Sequence, residues 1–142
     1  MDELGRGDNM SSKYDSMNHS KFLLRYHIIF VCKYRKKLLM HLGETIKNMM
    51  YDISLSSDFI IEEMEVDKDH IHLLVRSVPK LSPLMIVRKL KQETTNRIWK
   101  IEPRYLAKHF WKERTFWTDG YFVSTIGEVS EETIRRYIQN QG

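Results

Sequence analysis

The stretch "FIIEEMEVDKDHIHLLVRSV", residues 59–78, decides the fold. Two apolar, strand-sized runs, 59–66 and 70–78, are separated only by the polar turn "DKD", so they read as an antiparallel hairpin. In the second run successive side chains alternate between faces. Ile71, Leu73 and Val75 point one way and anchor the strand, whereas His70 and His72 point the other way, about 7 Å apart along the chain. Two imidazoles on one face of a rigid strand can converge on a metal ion. They can equally be two partly buried histidines bonded to neighbours, and the pair alone leaves both readings open.

The pattern on either side of the hairpin extends this architecture. "FLLRYHIIFVCK" (22–33) is aromatic and β-branched over a strand's length and runs into the basic cluster "KYRKK". Leu42, Ile46, Met49, Met50 and Ile53 recur at helical spacing and predict a helix with one packed stripe. Ser82 followed by Pro83 starts another, because serine caps orphan amides and proline occupies a position whose own N–H is not needed. That helix is expected from Pro83 to about Trp99, packing Ile86, Val87, Leu90 and Ile98 while presenting Arg88, Lys89, Lys91 and Arg97. An aromatic-rich segment follows and ends in a strand from Tyr121 to Ile126, stopped by Gly127; Trp99, Trp111 and Trp117 read as core. Ser130 then caps a last helix with Glu131 and Glu132 in its first turn, the charge the helix dipole favours. Ile134, Tyr137, Ile138 and Gln141 share its inward stripe. The order β, α, β, β, α, β, α predicts an α+β fold, a mostly antiparallel sheet with helices packed on it, related to ferredoxin-like sandwiches.

At 142 residues the chain is long enough for one domain with a real core. Residues 1–20, rich in Ser, Asp, Asn and Gly, read as a flexible lead-in, with a single domain over 21–142. The formal charge of +4 is uneven: Asp2, Glu3, Asp8 and Asp15 outweigh Arg6 and Lys13 in the lead-in, leaving −2 there and +6 elsewhere. A basic folded part favours a polyanionic partner. No run approaches a membrane span and no secretory leader is visible, so no membrane partner and a cytoplasmic location are expected. The lone Cys32 excludes an internal disulfide and reads as a small hydrophobe.

Two histidines do not complete a metal site. Candidates for a third ligand are the acidic segment "EEMEVDKD", His109, and the inward stripe of the last helix, where Gln141 needs a partner for its amide. Tyr137 on that stripe is by itself an ordinary core tyrosine.

Taken together, "FVCKYRKKLL", "DHIHLLV", "SPLMIVRKLKQETTNRIW", "FWTDGYFVSTIG" and "TIRRYIQNQ" resemble the single-tyrosine HUH transposases (TnpA-type) of the IS200/IS605 insertion sequences over about residues 22–141. The resemblance implies an enzyme: a DNA transposase that cleaves and rejoins single-stranded DNA through a 5′-phosphotyrosine. It implies His70 and His72 as metal ligands, Tyr137 as nucleophile and Gln141 as the third ligand. Mg²⁺ or Mn²⁺ is the implied cofactor, and the implied partners are single-stranded DNA with hairpins at element ends and a second subunit whose tyrosine helix can complete the site. The implied setting is a bacterial or archaeal cytoplasm, at the nucleoid during action. Lys33, Tyr34, Arg35, Lys36, Arg88, Lys89 and Lys91 are then expected to contact DNA. Two other readings remain: a domesticated relative that processes repeated palindromic DNA, and a non-catalytic single-strand-binding module in which the histidines are structural.

Overall fold

The computed structural model describes residues 15–17, 20–125 and 131–141. A short hairpin, β1 (Asp15–Met17) and β2 (Ser20–Phe22), precedes the long strand β3 (Leu24–Val31). Then follow α1 (Leu39–Leu55), the hairpin β4 (Ile60–Val66) and β5 (His70–Ser77), α2 (Pro83–Ile101), a short α3 (Pro103–His109), β6 (Phe122–Thr125) and α4 (Glu131–Gln139). The main sheet has the order β4-β5-β3-β6, with every neighbour antiparallel.

One face of this sheet carries the core. Ile28 and Phe30 of β3 stand opposite Leu73 and Ile71 of β5, and all four are fully buried. The stripes of α1 (Leu42, Ile46, Met50, Ile53) and α2 (Ile86, Val87, Leu90, Ile98) cover that face in the same apolar cluster. Cys32 is buried there too. The opposite face carries the alternate residues, His70 and His72 among them, so the alternation of β5 puts the two histidines on the face away from Ile71, Leu73 and Val75, as expected.

The expected mixed architecture is present, with differences at the margins. Backbone order extends upstream of Lys21: Asp15–Met17 is a strand, and Asp15 Oδ2 accepts from Arg76 Nε at 3.0 Å. The remainder of the lead-in, 1–14 and 18–19, lies outside the described residues, as do the expected strand stop at Gly127 and cap at Ser130. The α2 cap forms: the Ser82 hydroxyl accepts from the Met85 N–H at 3.2 Å. α3 was not expected; Pro103 at its first turn starts it after Glu102 breaks α2. Trp99 and Trp117 are core, but Trp111 is 81% exposed, because it sits in a turn beside Lys112, whose φ of 64° turns the chain outward. Among the described residues no helix is long and apolar enough to cross a membrane.

Candidate active site

The functional face is best read along its cross-strand rows. His72 stands opposite Ile29 of β3, and Ile29 stands opposite Phe122 of β6, so these three form one row. His70 stands opposite Val31, and Glu65 and Glu63 of β4 flank the histidines on the other side. Ile29 and Val31 are fully buried, which makes a dry floor beside the two imidazoles.

His70 is fixed by its sequence neighbour. Its Nδ1 lies 2.9 Å from Asp69 Oδ1, so that nitrogen donates to the carboxylate and Nε2 is the ring nitrogen left unengaged by Asp69. Asp69 is itself braced, since Arg35 Nε donates to its other oxygen at 3.4 Å and its carbonyl accepts from Cys32 N–H at 2.8 Å. His72 contacts a residue not singled out in the sequence: its Nε2 lies 3.0 Å from Nδ1 of His27 on β3. Burial first, then the neighbouring His27, hold the His72 imidazole below its ordinary pKa, with Glu65 opposing. The shift favours the neutral imidazole, the form that can donate electrons to a metal.

Tyr137 approaches from the other side of β3. Its ring packs on Phe122 at 5.7 Å between centroids, and Phe122 is two strands from His72, roughly 10 Å by strand spacing. The phenol reaches toward Gly120, where an added Cβ would lie 3.7 Å from its oxygen. Among the described residues the buried hydroxyls of Tyr137 and Thr118 meet no hydrogen-bond partner of good geometry, although they lie near each other. Burial pushes the phenol above its ordinary pKa, with the nearby Thr118 offsetting part of the rise. At rest this is a protonated, unactivated tyrosine.

The loop beneath the phenol is pinned to α2 at three levels. Trp99 Nε1 donates to Thr115 O at 2.9 Å and Trp117 Nε1 to Thr94 Oγ1 at 3.0 Å. Lys91 Nζ donates to the carbonyls of Thr118, Asp119 and Gly120 at 2.6, 3.1 and 2.7 Å. Burial pulls this ammonium down to about 8, with the Asp119 carboxylate opposing and Lys33 adding to the fall. With its three donors engaged on backbone, Lys91 is a brace for the loop rather than the open phosphate contact expected from its position on a basic helix. Lys91→Met leaves those carbonyls to water or to nothing. It is expected to cost about 1.5 kcal/mol and lower Tm by roughly 5 °C, read by thermal unfolding, with the salt dependence of DNA binding unchanged.

The other expected contacts divide by layer. Lys33, Tyr34, Arg35 and Lys36 form a turn at the site's edge: Lys33 Nζ is 3.6 Å from Asp119, and Arg35 braces Asp69. Tyr34 is 57% exposed, with its hydroxyl donating to Glu113 at 3.1 Å, and Lys36 lies over the Phe110 ring. Arg88 and Lys89 sit on α2, which packs on the opposite face from the histidines, so they are not brought to the same place. Gln141 is half-buried one turn beyond Tyr137, its N–H bonded to Ile138 O at 3.1 Å. His109 packs with Tyr105, away from the pair. The contact of His27 with His72 was not foreseen, its only signal in the sequence being a polar ring within a largely apolar strand.

The donor chemistry fits a divalent ion in part. Among the described residues no three of His, Cys, Asp and Glu are grouped to hold a metal. His70 and His72 present their imidazoles beside the buried Ile29 and Val31, and among the described residues a further ligand would be of another type, such as the amide oxygen of Gln141.

The chain is similar to known proteins over most of its length. The family described as "Transposase IS200 like" matches residues 20–141. The chain is 29% identical over 121 residues to the ISDra2 transposase TnpA of Deinococcus radiodurans, covering 84% of this chain and 85% of the relative. It is 30% identical over 129 residues to the transposase for insertion sequence element IS200 of Salmonella typhimurium, covering 89% and 82%. A crystal structure of a Deinococcus radiodurans protein assigned as a transposase superposes with a TM-score of 0.81 at 27% identity, covering 89% of this chain and 97% of that one. A REP-associated tyrosine transposase bound to a REP hairpin, at 13% identity and a TM-score of 0.53 over 81% of this chain and 62% of its own, shares the fold.

Proposed function

The chain belongs to the IS200-like transposase family, and from that premise we propose that it cuts and rejoins single-stranded DNA at the ends of an insertion sequence, with Tyr137 as nucleophile. The observation that carries this reading is the shared face: His70, His72 and the Phe122 platform under Tyr137 occupy one side of one sheet, on a dry floor of Ile29 and Val31.

In this mechanism the Tyr137 oxygen attacks the scissile phosphorus. The new P–O bond to tyrosine forms as the bond to the 3′ oxygen breaks, and that oxygen leaves as a 3′-hydroxyl after taking up a proton. The phosphotyrosine conserves the phosphodiester, so a different 3′-hydroxyl can reverse the step and join new ends without ATP. His70, His72 and Gln141 would hold Mg²⁺ or Mn²⁺, which when bound would supply positive charge beside the scissile phosphate. Asp69 keeps the His70 lone pair directed outward, and the Lys91 brace holds the 118–120 loop on which the phenol rests. Lys33, Arg35 and Lys36 offer positive charge to the strand's phosphates and Tyr34 a face for an unpaired base, while Arg88 and Lys89 serve more distant backbone. The reading includes one domain over 21–142, a cytoplasmic protein, hairpin-bearing DNA, and a homodimer in which one subunit's α4 completes the other's site.

The test is to incubate the protein with single-stranded element ends and Mg²⁺ and look for a denaturant-resistant protein–DNA adduct. A binding module would retard the strand and leave it uncut. The pH profile is a second check. A phenol held above its ordinary pKa is almost wholly protonated at pH 7, so its phenolate fraction rises about tenfold per unit. The initial rate of adduct formation is therefore expected to climb steeply from pH 7 to 9, and a flat profile would show that deprotonation of Tyr137 does not limit attack.

A further inference from the structure

We infer that Trp111 is a stacking platform for an unpaired base of the DNA strand, extending the binding surface beyond the basic turn at 33–36. This rests on single-stranded DNA as the substrate and goes beyond it by assigning a residue outside both the histidine face and that turn.

Tryptophan is highly buried on average, because its ring is a large apolar surface. Trp99 and Trp117 follow that rule at 6% and 4% exposure, whereas Trp111 is 81% exposed. The exposure is built into the chain. Phe110 on one side and Phe116 on the other are buried, and Trp99 Nε1 donates to Thr115 O at 2.9 Å, so both ends of the intervening turn are anchored. Between the anchors Lys112 has a φ of 64°, left-handed backbone that a side-chain-bearing residue enters only at a cost. The turn therefore holds the Trp111 ring outward from a secured stem.

The surroundings select the partner. Lys112 Nζ lies 4.6 Å from the Trp111 ring centroid, and Lys108 and Arg114 are exposed close by in the chain. Glu113 is the acidic residue here, and its carboxylate accepts from the Tyr34 hydroxyl at 3.1 Å. That bond, the 6.4 Å approach of the Tyr34 and Phe110 rings, and Lys36 Nζ 5.9 Å from the Phe110 centroid join this turn to residues 33–36. There Arg35 braces Asp69 beside His70, so the exposed ring is linked by contacts to the edge of the site. An apolar protein partner would have to bury these cations along with the ring. A polynucleotide satisfies both at once: phosphates meet the cations, and a base covers the ring. Paired bases are already stacked on one another, so the ring favours unpaired ones.

Trp111 is the one exposed member of three tryptophans, so changes in emission report on it. In Tyr137→Phe protein without added metal, where no strand is cut, oligothymidylate is expected to quench that emission. An abasic strand of the same length should bind by its phosphates without quenching, and a blunt duplex likewise. Trp111→Ala is expected to lower affinity for oligothymidylate about 10–100-fold, and Trp111→Phe only a few-fold. The salt slope, the affinity for the abasic strand and Tm should stay unchanged, since no phosphate contact and no core contact is removed.

Unquenched emission with oligothymidylate bound, or equal affinity of wild type and Trp111→Ala, would overturn the assignment. Equal quenching by the abasic strand or the duplex would reduce the contact to charge, and emission that changes with protein concentration alone would seat a second copy on the ring; either result also removes the platform. If no single strand binds the wild-type protein, the reading of single-stranded DNA as substrate fails and takes this assignment with it.

Discussion

Tyr137→Phe is expected to form no covalent adduct with single-stranded element ends, a loss of more than about 10⁴-fold in cleavage, while hairpin binding stays within a few-fold of wild type. The change removes one atom. The ring contact to Phe122 and the approach to Gly120 remain, and among the described residues the deleted hydroxyl is buried with no hydrogen-bond partner of good geometry. Its loss should leave stability unchanged or raise it by about 1 kcal/mol, because a buried, unsatisfied polar group is removed. Denaturing gels read the adduct, native gels the binding, and thermal unfolding the fold. An undiminished adduct in the variant would assign the nucleophile elsewhere.

His70→Ala and His72→Ala are each expected to reduce metal-dependent strand cleavage by about 10³-fold, since the charge on the scissile phosphate is lost along with its alignment. Both side chains lie on the face away from the main core, and Ile71, Leu73 and Val75 still hold β5 in the sheet. The variants should therefore fold and retard hairpin DNA. The two differ in their surroundings: His70→Ala leaves Asp69 with Arg35 as its remaining side-chain partner, whereas His72→Ala leaves the His27 ring facing an empty space. Titrating Mn²⁺ against cleavage of a labelled strand separates weakened binding, which high metal restores, from a lost alignment, which it does not. Unimpaired cleavage in either variant would return the histidines to a structural role.

Much of this was legible because it is local. The sidedness of β5 follows from alternation within eight residues, and the α2 start from the adjacent pair Ser82 and Pro83. The C-terminal helix and its tyrosine stripe follow from periodicity alone. What was not legible depends on pairing between distant segments. His27 sits inside "FLLRYHIIFVCK", and it meets His72 only because β3 pairs with β5 in the register that sets Ile29 opposite His72. Lys91 is one of several cations on a helix face, and nothing in α2 itself reveals that the 118–120 carbonyls wait above it. Trp111 was read with its aromatic neighbours as core, and the outward turn at Lys112 carries no glycine to announce it.

The same silence surrounds Tyr34 and Arg35, with a practical consequence. Their φ angles of 59° and 53° put two consecutive side-chain-bearing residues in left-handed backbone, at about 1–2 kcal/mol each. Glycine at position 35 would relieve that strain and strengthen the fold, yet it would remove the guanidinium that braces Asp69 behind His70. A laboratory selection for heat resistance alone would thus drift toward glycine here and enrich robust, impaired proteins. At this turn, resilience and catalysis draw on opposite choices of residue, and variants improved in one respect should be screened in the other.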